Sequence, residues 1–197
     1  MLASLDQPPV RDQATACLKK LAVGQNKDFY EKHYYSLITG MGKKGGPYSP
    51  KVTACCLLPV AYPFLGEKSQ AEFRALFKSF ALEENSPLVR RAVAENIEAF
   101  ANVVDKKVIR GDFYEIWQSL IVDTFDIIRI KALECAVIVA RAFKKEETTE
   151  KFFKLIRFVD SGKKSWRVRY SLVECLASIL NYLEKDVVKK DVVEIFE

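Results

Sequence analysis

The sequence is poor in the residues from which active sites are usually built. Its 197 residues include one histidine, His33, and five cysteines with no Cys-x-x-Cys pair among them. Metal centres and acid–base pairs need converging partners. His33 stands beside Lys32, Tyr34 and Tyr35 with no second histidine anywhere, so it reads as a structural or surface residue. An odd number of cysteines argues against a disulfide framework and for a reducing compartment. No apolar run approaches the roughly 20 residues that a membrane-spanning helix requires. The opening Met1-Leu2-Ala3-Ser4-Leu5-Asp6 lacks the charged and apolar regions of a signal peptide. No stretch alternates polar and apolar residues strictly enough for a strand. Gly40–Gly46 carries Lys43 and Lys44 but lacks the GK[ST] ending of a phosphate-binding loop and follows no strand. It is expected to be a long, flexible turn and a candidate contact loop. These absences leave the expectation of a soluble intracellular protein, cytoplasmic with the nucleus as a second option, and with no membrane segment, no cofactor and no metal.

The composition is that of an ordinary globular chain, 49% hydrophobic and 29% charged. Lys and Arg number 31 against 26 Asp and Glu, a net charge of +5. Nucleic-acid modules concentrate such an excess on one face. Here the two signs are interleaved, which describes a solvated surface, and no nucleic-acid partner is expected.

The strongest positive feature is a repeat. Val10, Val52, Val89, Ile128 and Val168 each follow a turn, at intervals of 42, 37, 39 and 40 residues. Arginine comes next in four of the five copies, as Arg11, Arg90, Arg129 and Arg169, with Thr53 the exception. Four, eight and twelve residues on, every position is apolar: Ala14, Cys56, Val93, Ala132 and Leu172, for example, at the first of these steps. That spacing predicts an amphipathic helix in the same phase each time. Between these helices lies a second set, at about Asp28–Thr39, Glu67–Leu82, Lys106–Val122, Glu146–Asp160 and from Asp186, with aromatic apolar stripes. The period matches the roughly 40–47 residues of HEAT and armadillo units. The expected fold is therefore all-α, a right-handed HEAT-type α-solenoid of stacked hairpins. Its expected division is a second helix over 1–25, repeats at 26–66, 67–105, 106–144 and 145–185, and a first helix over 186–197. Neither end resembles a polar capping repeat, so an internal piece of a longer solenoid is expected.

Residues that invite chemistry have plain structural readings in this frame. Cys17, Cys135 and Cys175 share one repeat phase, and Cys55 and Cys56 sit in the corresponding helix, as small apolar packing residues do. Glu83/Glu84, Asp123/Asp126 and Glu146/Glu147 fall at helix ends, where carboxylates cap or oppose dipoles. The repeated arginines are read first as a ladder to acidic residues of adjacent turns, and second as a partner-gripping ridge. Ser86 is an expected side-chain N-cap ahead of Pro87 at the first helical position. Trp166, at a turn, is expected to be exposed and to bind, since tryptophan is enriched at interface hot spots.

Several stretches go beyond a generic helical repeat. Ser86-Pro87-Leu88-Val89-Arg90-Arg91-Ala92, Lys164-Ser165-Trp166-Arg167-Val168-Arg169-Tyr170, and Thr53-Ala54-Cys55-Cys56-Leu57 with Tyr62-Pro63 carry a resemblance, supported by Val10-Arg11-Asp12-Gln13-Ala14 and Phe100-Ala101-Asn102-Val103. Through them the chain resembles the HEAT-repeat scaffold (A) subunit of protein phosphatase 2A, in its N-terminal half. The resemblance implies a non-catalytic scaffold whose intra-repeat turns hold a regulatory (B-type) subunit, with the catalytic subunit held by repeats outside this chain. Carried over by position, the contact residues are Pro47, Tyr48, Glu84, Asn85, Ser86, Pro87, Asp123, Asp126, Ser165 and Trp166. Pro47-Tyr48 stands where an aromatic pair with tryptophan is usual in that family, and Thr124-Phe125 where polar residues are common. Two alternatives stay open: a HEAT-like DNA glycosylase or nucleic-acid-binding solenoid, and a transport-receptor-like peptide-binding solenoid.

Overall fold

The computed structural model describes residues 2–82, 85–153 and 165–189, and every regular element among them is helical. In chain order these are α1 (Pro8–Ala22), α2 (27–41), α3 (Tyr48–Ala61), α4 (Glu67–Leu82), α5 (Pro87–Ala101), α6 (106–121), α7 (Asp126–Glu134), α8 (Ala136–Ala140), α9 (145–153), α10 (Trp166–Ile179) and α11 (Lys185–Val187). They form two compact units, Met1–Val104 and Asp105–Glu197. The expected helix over Glu146–Asp160 is helical to residue 153; its remainder, and the stretch from residue 190, lie outside the described residues.

Local chemistry sets the helix starts. Prolines occupy the first turns of α1 and α5, where a missing amide costs nothing. Ser86 and Ser165 are extended residues just before α5 and α10. The Ser86 side chain makes no capping hydrogen bond, contrary to expectation. Instead its main-chain carbonyl accepts from Val89 N (3.1 Å) and Arg90 N (3.3 Å), and Ser165 does the same with Val168 and Arg169. At α9 a carboxylate does the capping: the Lys144 amide donates to Glu147 Oε2 at 3.0 Å, and Arg110 pairs with the same oxygen. These contacts, the amide first, hold the Glu147 carboxyl below the usual carboxylate range. The aromatic-rich helices have a feature the periodicity does not announce. Each of α2, α6 and α9 contains one π-helical turn, at Tyr30–Tyr34, Ile109–Phe113 and Thr149–Phe153. In the first two, both ends of the turn are buried.

In the first unit α3 is the central helix, in contact with α1, α2, α4 and α5. Thr53, Ala54, Cys55, Leu57, Leu58 and Ala61 are fully buried, while Val52, Cys56 and Val60, in the expected apolar phase, are only half-buried. A helix packed on several sides buries a broad sector, and the deepest residues lie beside the stripe read from the repeat. In α1 the correction is larger. Its buried positions are Arg11, Thr15 and Ala22, whereas Val10 is 42% exposed. Thr15 and Thr53 hydroxyl oxygens lie 3.5 Å apart where α1 meets α3. Val10, Ala14, Cys17 and Leu21 instead line an open apolar cleft of about 710 Å³ with Leu2 and Leu37. Cys17 is accordingly exposed, against the packing role expected of it, while Cys55, Cys135 and Cys175 are buried. Phe77 and Tyr62 both meet Phe100 edge-on, with centroids 5.0 and 5.1 Å away.

The second unit packs around Trp117, which is completely buried. Its indole Nε1 donates to the Ala132 carbonyl at 2.9 Å, and Phe152 stacks on it at 4.5 Å. The helix expected to run through Ile128 and Ala140 is broken at Cys135 into α7 and α8. The phase survives the break, since Ile128, Ala132, Ala136 and Ala140 are all buried. The Gly40–Gly46 stretch is not the free loop expected. Gly40 and Met41 complete α2, and Gly42 is buried so closely that an added Cβ would meet Leu76 Cδ1 at 2.7 Å. Within this stretch Gly45, at φ +75°, is the glycine that its backbone conformation requires.

Candidate partner-binding turns

The ten candidate contact residues divide between the units. In the first, Pro47 ends the turn before α3, Tyr48 opens that helix, and Asn85, Ser86 and Pro87 lead into α5. The helices α3 and α5 pack together, and Tyr48 lines the same groove as Leu88, the residue after Pro87. Pro47 and Asn85 are exposed; Tyr48, Ser86 and Pro87 are half-buried. Glu84 lies outside the described residues.

In the second unit the two turns differ in kind. Asp123 and Asp126 are tied into their own turn. Asp123 Oδ1 accepts from Phe125 N at 3.0 Å, its carbonyl accepts from Arg129, and the Asp126 carboxylate pairs with Arg129. Asp126 is still open on one side, its side chain 45% exposed. At the next turn Ser165 is half-buried with its hydroxyl oxygen shielded and without a hydrogen-bond partner, while Trp166 is 71% exposed. The Arg167 guanidinium stands 5.3 Å from the Trp166 ring centre. A cation over an indole face is a stable amphipathic surface.

Exposure adds residues that were not among the ten candidate contacts. Ile127 at the start of α7, and Tyr170 and Val173 on α10, are exposed large side chains on two helices in contact with each other. With Phe125 and Trp166 they give this unit several exposed apolar side chains near its helix starts, of the kind interfaces use. The signal was present for Tyr170, four residues after Trp166 and so on its helical face. Ile127 carried none, because an isoleucine beside Ile128 looks like core until one of the two is seen to turn outward.

The repeated arginines are not equivalent. Arg11 and Arg129 are buried, Arg90 is half-buried and Arg169 is exposed. The expected ladder to adjacent turns is not what Arg129 makes: Asp123 and Asp126, to which it donates, belong to its own turn. Nor are all polar residues of these helices surface groups. Asn96 is buried, donating to the Ala92 carbonyl at 2.8 Å with Cys56 Sγ at 3.6 Å. His33 is exposed, its ring 5.0 Å from Phe29. Among the described residues no group of three His, Cys, Asp or Glu side chains could hold a metal, and no helix is long and apolar enough to cross a membrane.

No protein-family model matches the chain. Individual proteins do. A probable serine/threonine-protein phosphatase PP2A regulatory subunit of Caenorhabditis elegans is 28% identical over 136 residues, 69% of this chain and 23% of that protein. The PP2A 65 kDa regulatory subunit of Drosophila melanogaster is 31% identical over 55% of the chain and 18% of its own length. The PP2A regulatory (A) subunit of Schizosaccharomyces pombe is 24% identical over 96% of the chain and 32% of its own length. The chain thus spans a third or less of the length of these relatives. In fold it matches the crystal structure of Kap121p with a TM-score of 0.61 over 98% of the chain and 20% of that protein, at 16% identity. Helical-repeat architecture and turn motifs therefore agree: the chain is an all-α solenoid similar in sequence to part of the regulatory (A) subunits of protein phosphatase 2A.

Proposed function

We propose that the chain is non-catalytic scaffold, which binds a B-type regulatory subunit of protein phosphatase 2A through its helix-start turns and holds it near the catalytic subunit. The observation that carries this reading is Trp166, 71% exposed at the start of α10 in a unit whose other tryptophan is wholly buried. A large aromatic left in water is costly unless something covers it, and tryptophan and arginine lead among interface hot spots. The relatives are named regulatory or scaffold subunits, which supports a holding rather than a chemical role. The mechanism is geometric: two subunits on one frame meet at raised effective concentration. The same reading makes Pro47, Tyr48, Glu84 to Pro87, Asp123, Asp126 and Ser165 partner contacts, with Ile127 and Tyr170 added to them. We place the protein in the cytoplasm, with the nucleus as a second option, in keeping with free cysteines in a reducing compartment, and a fluorescent fusion would report otherwise if it were secreted.

The test is co-precipitation of a B-type subunit with the complete scaffold carrying this stretch. Capture by wild type, weakened by Pro87→Ala with Trp166→Ala while helical circular dichroism stays intact, is the expected result. Equal capture by wild type and variant removes the turns from the interface. Tight, salt-sensitive binding of duplex DNA would favour a nucleic-acid role instead.

A further inference from the structure

Arg11 and Arg129 hold the same place in the repeat, and both are buried, but their guanidinium groups live differently. Arg129 donates to the Asp123 carbonyl and the Asp126 carboxylate, which leaves only its Nε without a hydrogen bond. The residues at the same offsets before Arg11 are Leu5 and Pro8, which offer no carboxylate. Asp6, between them, accepts the Ser49 hydroxyl. Arg11 is 9% exposed, and both Nε and Nη1 lack a hydrogen-bond partner. The Asp12 carboxylate is 3.6 Å from Nε, past hydrogen-bond length. A buried cationic fork with unmade hydrogen bonds is expensive to keep and matches a planar carboxylate.

Arg11 also lines a groove of about 450 Å³ between the beginnings of α1, α3 and α5. Tyr48, Val52, Leu88 and Ala92 supply its apolar lining, and the Arg91–Glu95 pair, closed at 2.8 Å, is beside them. A smaller hollow of about 210 Å³ shares Arg11, Asp12, Val52 and Cys56 with it and adds Lys19. In the groove itself Arg11 and Arg91 balance Asp12 and Glu95, and Lys19 of the adjoining hollow adds one positive charge. Asp12 and Glu95 would repel a run of phosphates, whereas the apolar lining and one guanidinium with unmade hydrogen bonds suit a mixed peptide.

We propose that this groove receives a carboxylate-bearing peptide segment of a protein partner. A Glu or Asp side chain accepts from Arg11 Nη2, the guanidinium nitrogen that is not shielded from solvent, and a neighbouring apolar side chain rests on Val52 and Leu88. The inference rests on reading the chain as a protein-binding scaffold, but its test needs no phosphatase subunit, so the two can fail separately. The measurement is fluorescence polarisation of a labelled peptide of alternating Glu and Leu, and of its Glu→Gln counterpart, with the whole chain. The acidic peptide is expected to bind roughly tenfold or more tightly, from the charged hydrogen bonds alone. Arg11→Met should remove the preference, and exposed Lys68→Met should keep it. Leu88→Glu, a change at an exposed position that leaves the fold alone, should weaken the acidic peptide by a similar factor, so the test stands even where Arg11→Met unfolds the chain. Absence of binding, equal binding of both peptides, survival of the preference in folded Arg11→Met, or tighter binding of duplex DNA would each overturn the proposal.

Discussion

The two tryptophans of the second unit have opposite fates. Trp117 is sealed between the Ala132 carbonyl and the Phe152 ring; Trp166 stands in solvent with Arg167 over its face. Both are on helices, and both have apolar neighbours four residues away, so residue type alone does not separate them. Position does. Trp117 falls on the apolar stripe of α6 with Phe113, Leu120 and Ile121, whereas Trp166 precedes Val168, the first buried residue of α10, and turns away from it. The first holds the unit together, and the second is available to something else.

The contrast can be broken most severely from the inside. Trp117→Ala should cost about 3–5 kcal/mol, through lost burial and a cavity that its neighbours cannot fill, read as a shifted denaturant midpoint. Trp166→Ala should stay within about 0.5 kcal/mol of wild type in the same experiment. A comparable loss in both variants would mean that Trp166 is structural after all. Next in size is binding: in the complete scaffold, Trp166→Ala should weaken regulatory-subunit capture roughly tenfold or more, and Tyr170→Ala and Ile127→Ser by less.

Thiols repeat the contrast and add a pH dependence. Burial pushes the Cys175 thiol from 9.0 to about 12, whereas Cys17 is exposed. The unfolded chain releases the Cys175 proton above pH 9 while the folded chain keeps it. Stability from this group is therefore complete below pH 9 and falls as pH rises toward 12. Alkaline unfolding curves should show that decline, and Cys175→Ala should flatten it. In the native protein a thiol-labelling reagent should consume Cys17 well before Cys55 or Cys175. The smallest expected effect is optical: iodide should quench the Trp166 share of the fluorescence and leave the Trp117 share, so a chain quenched uniformly would contradict their difference in burial.

Much of the architecture was legible in the chain, because helices that pack on helices must repeat apolar residues at helical spacing. In α5, α7 and α10 the repeated positions, from Val89 to Ile97 and from Val168 to Leu176, are buried as read. In α1 and α3 the stripe lay beside the deepest residues, since burial there follows the number and placement of neighbouring helices. The π turns and the break at Cys135 were equally silent, for they change hydrogen-bond registry without disturbing the apolar pattern. The candidate turns were located by motif, and Trp166 emerged exposed as expected. That Asp123 and Asp126 are held by Arg129, or that Ile127 rather than Ile128 turns outward, depends on contacts that no linear spacing encodes.

What the sequence determined by itself is the helical repeat, the proline-bearing helix starts and the shortage of catalytic groups, all local or periodic properties. Tertiary structure alone decided which of four look-alike arginines is held by its own turn and which of two tryptophans is core. It also gathered Arg11, Tyr48 and Leu88, far apart in the chain, around one groove. The reason is physical: periodicity says that a residue shares a face with others, but burial and hydrogen bonding depend on what a distant segment brings to that face.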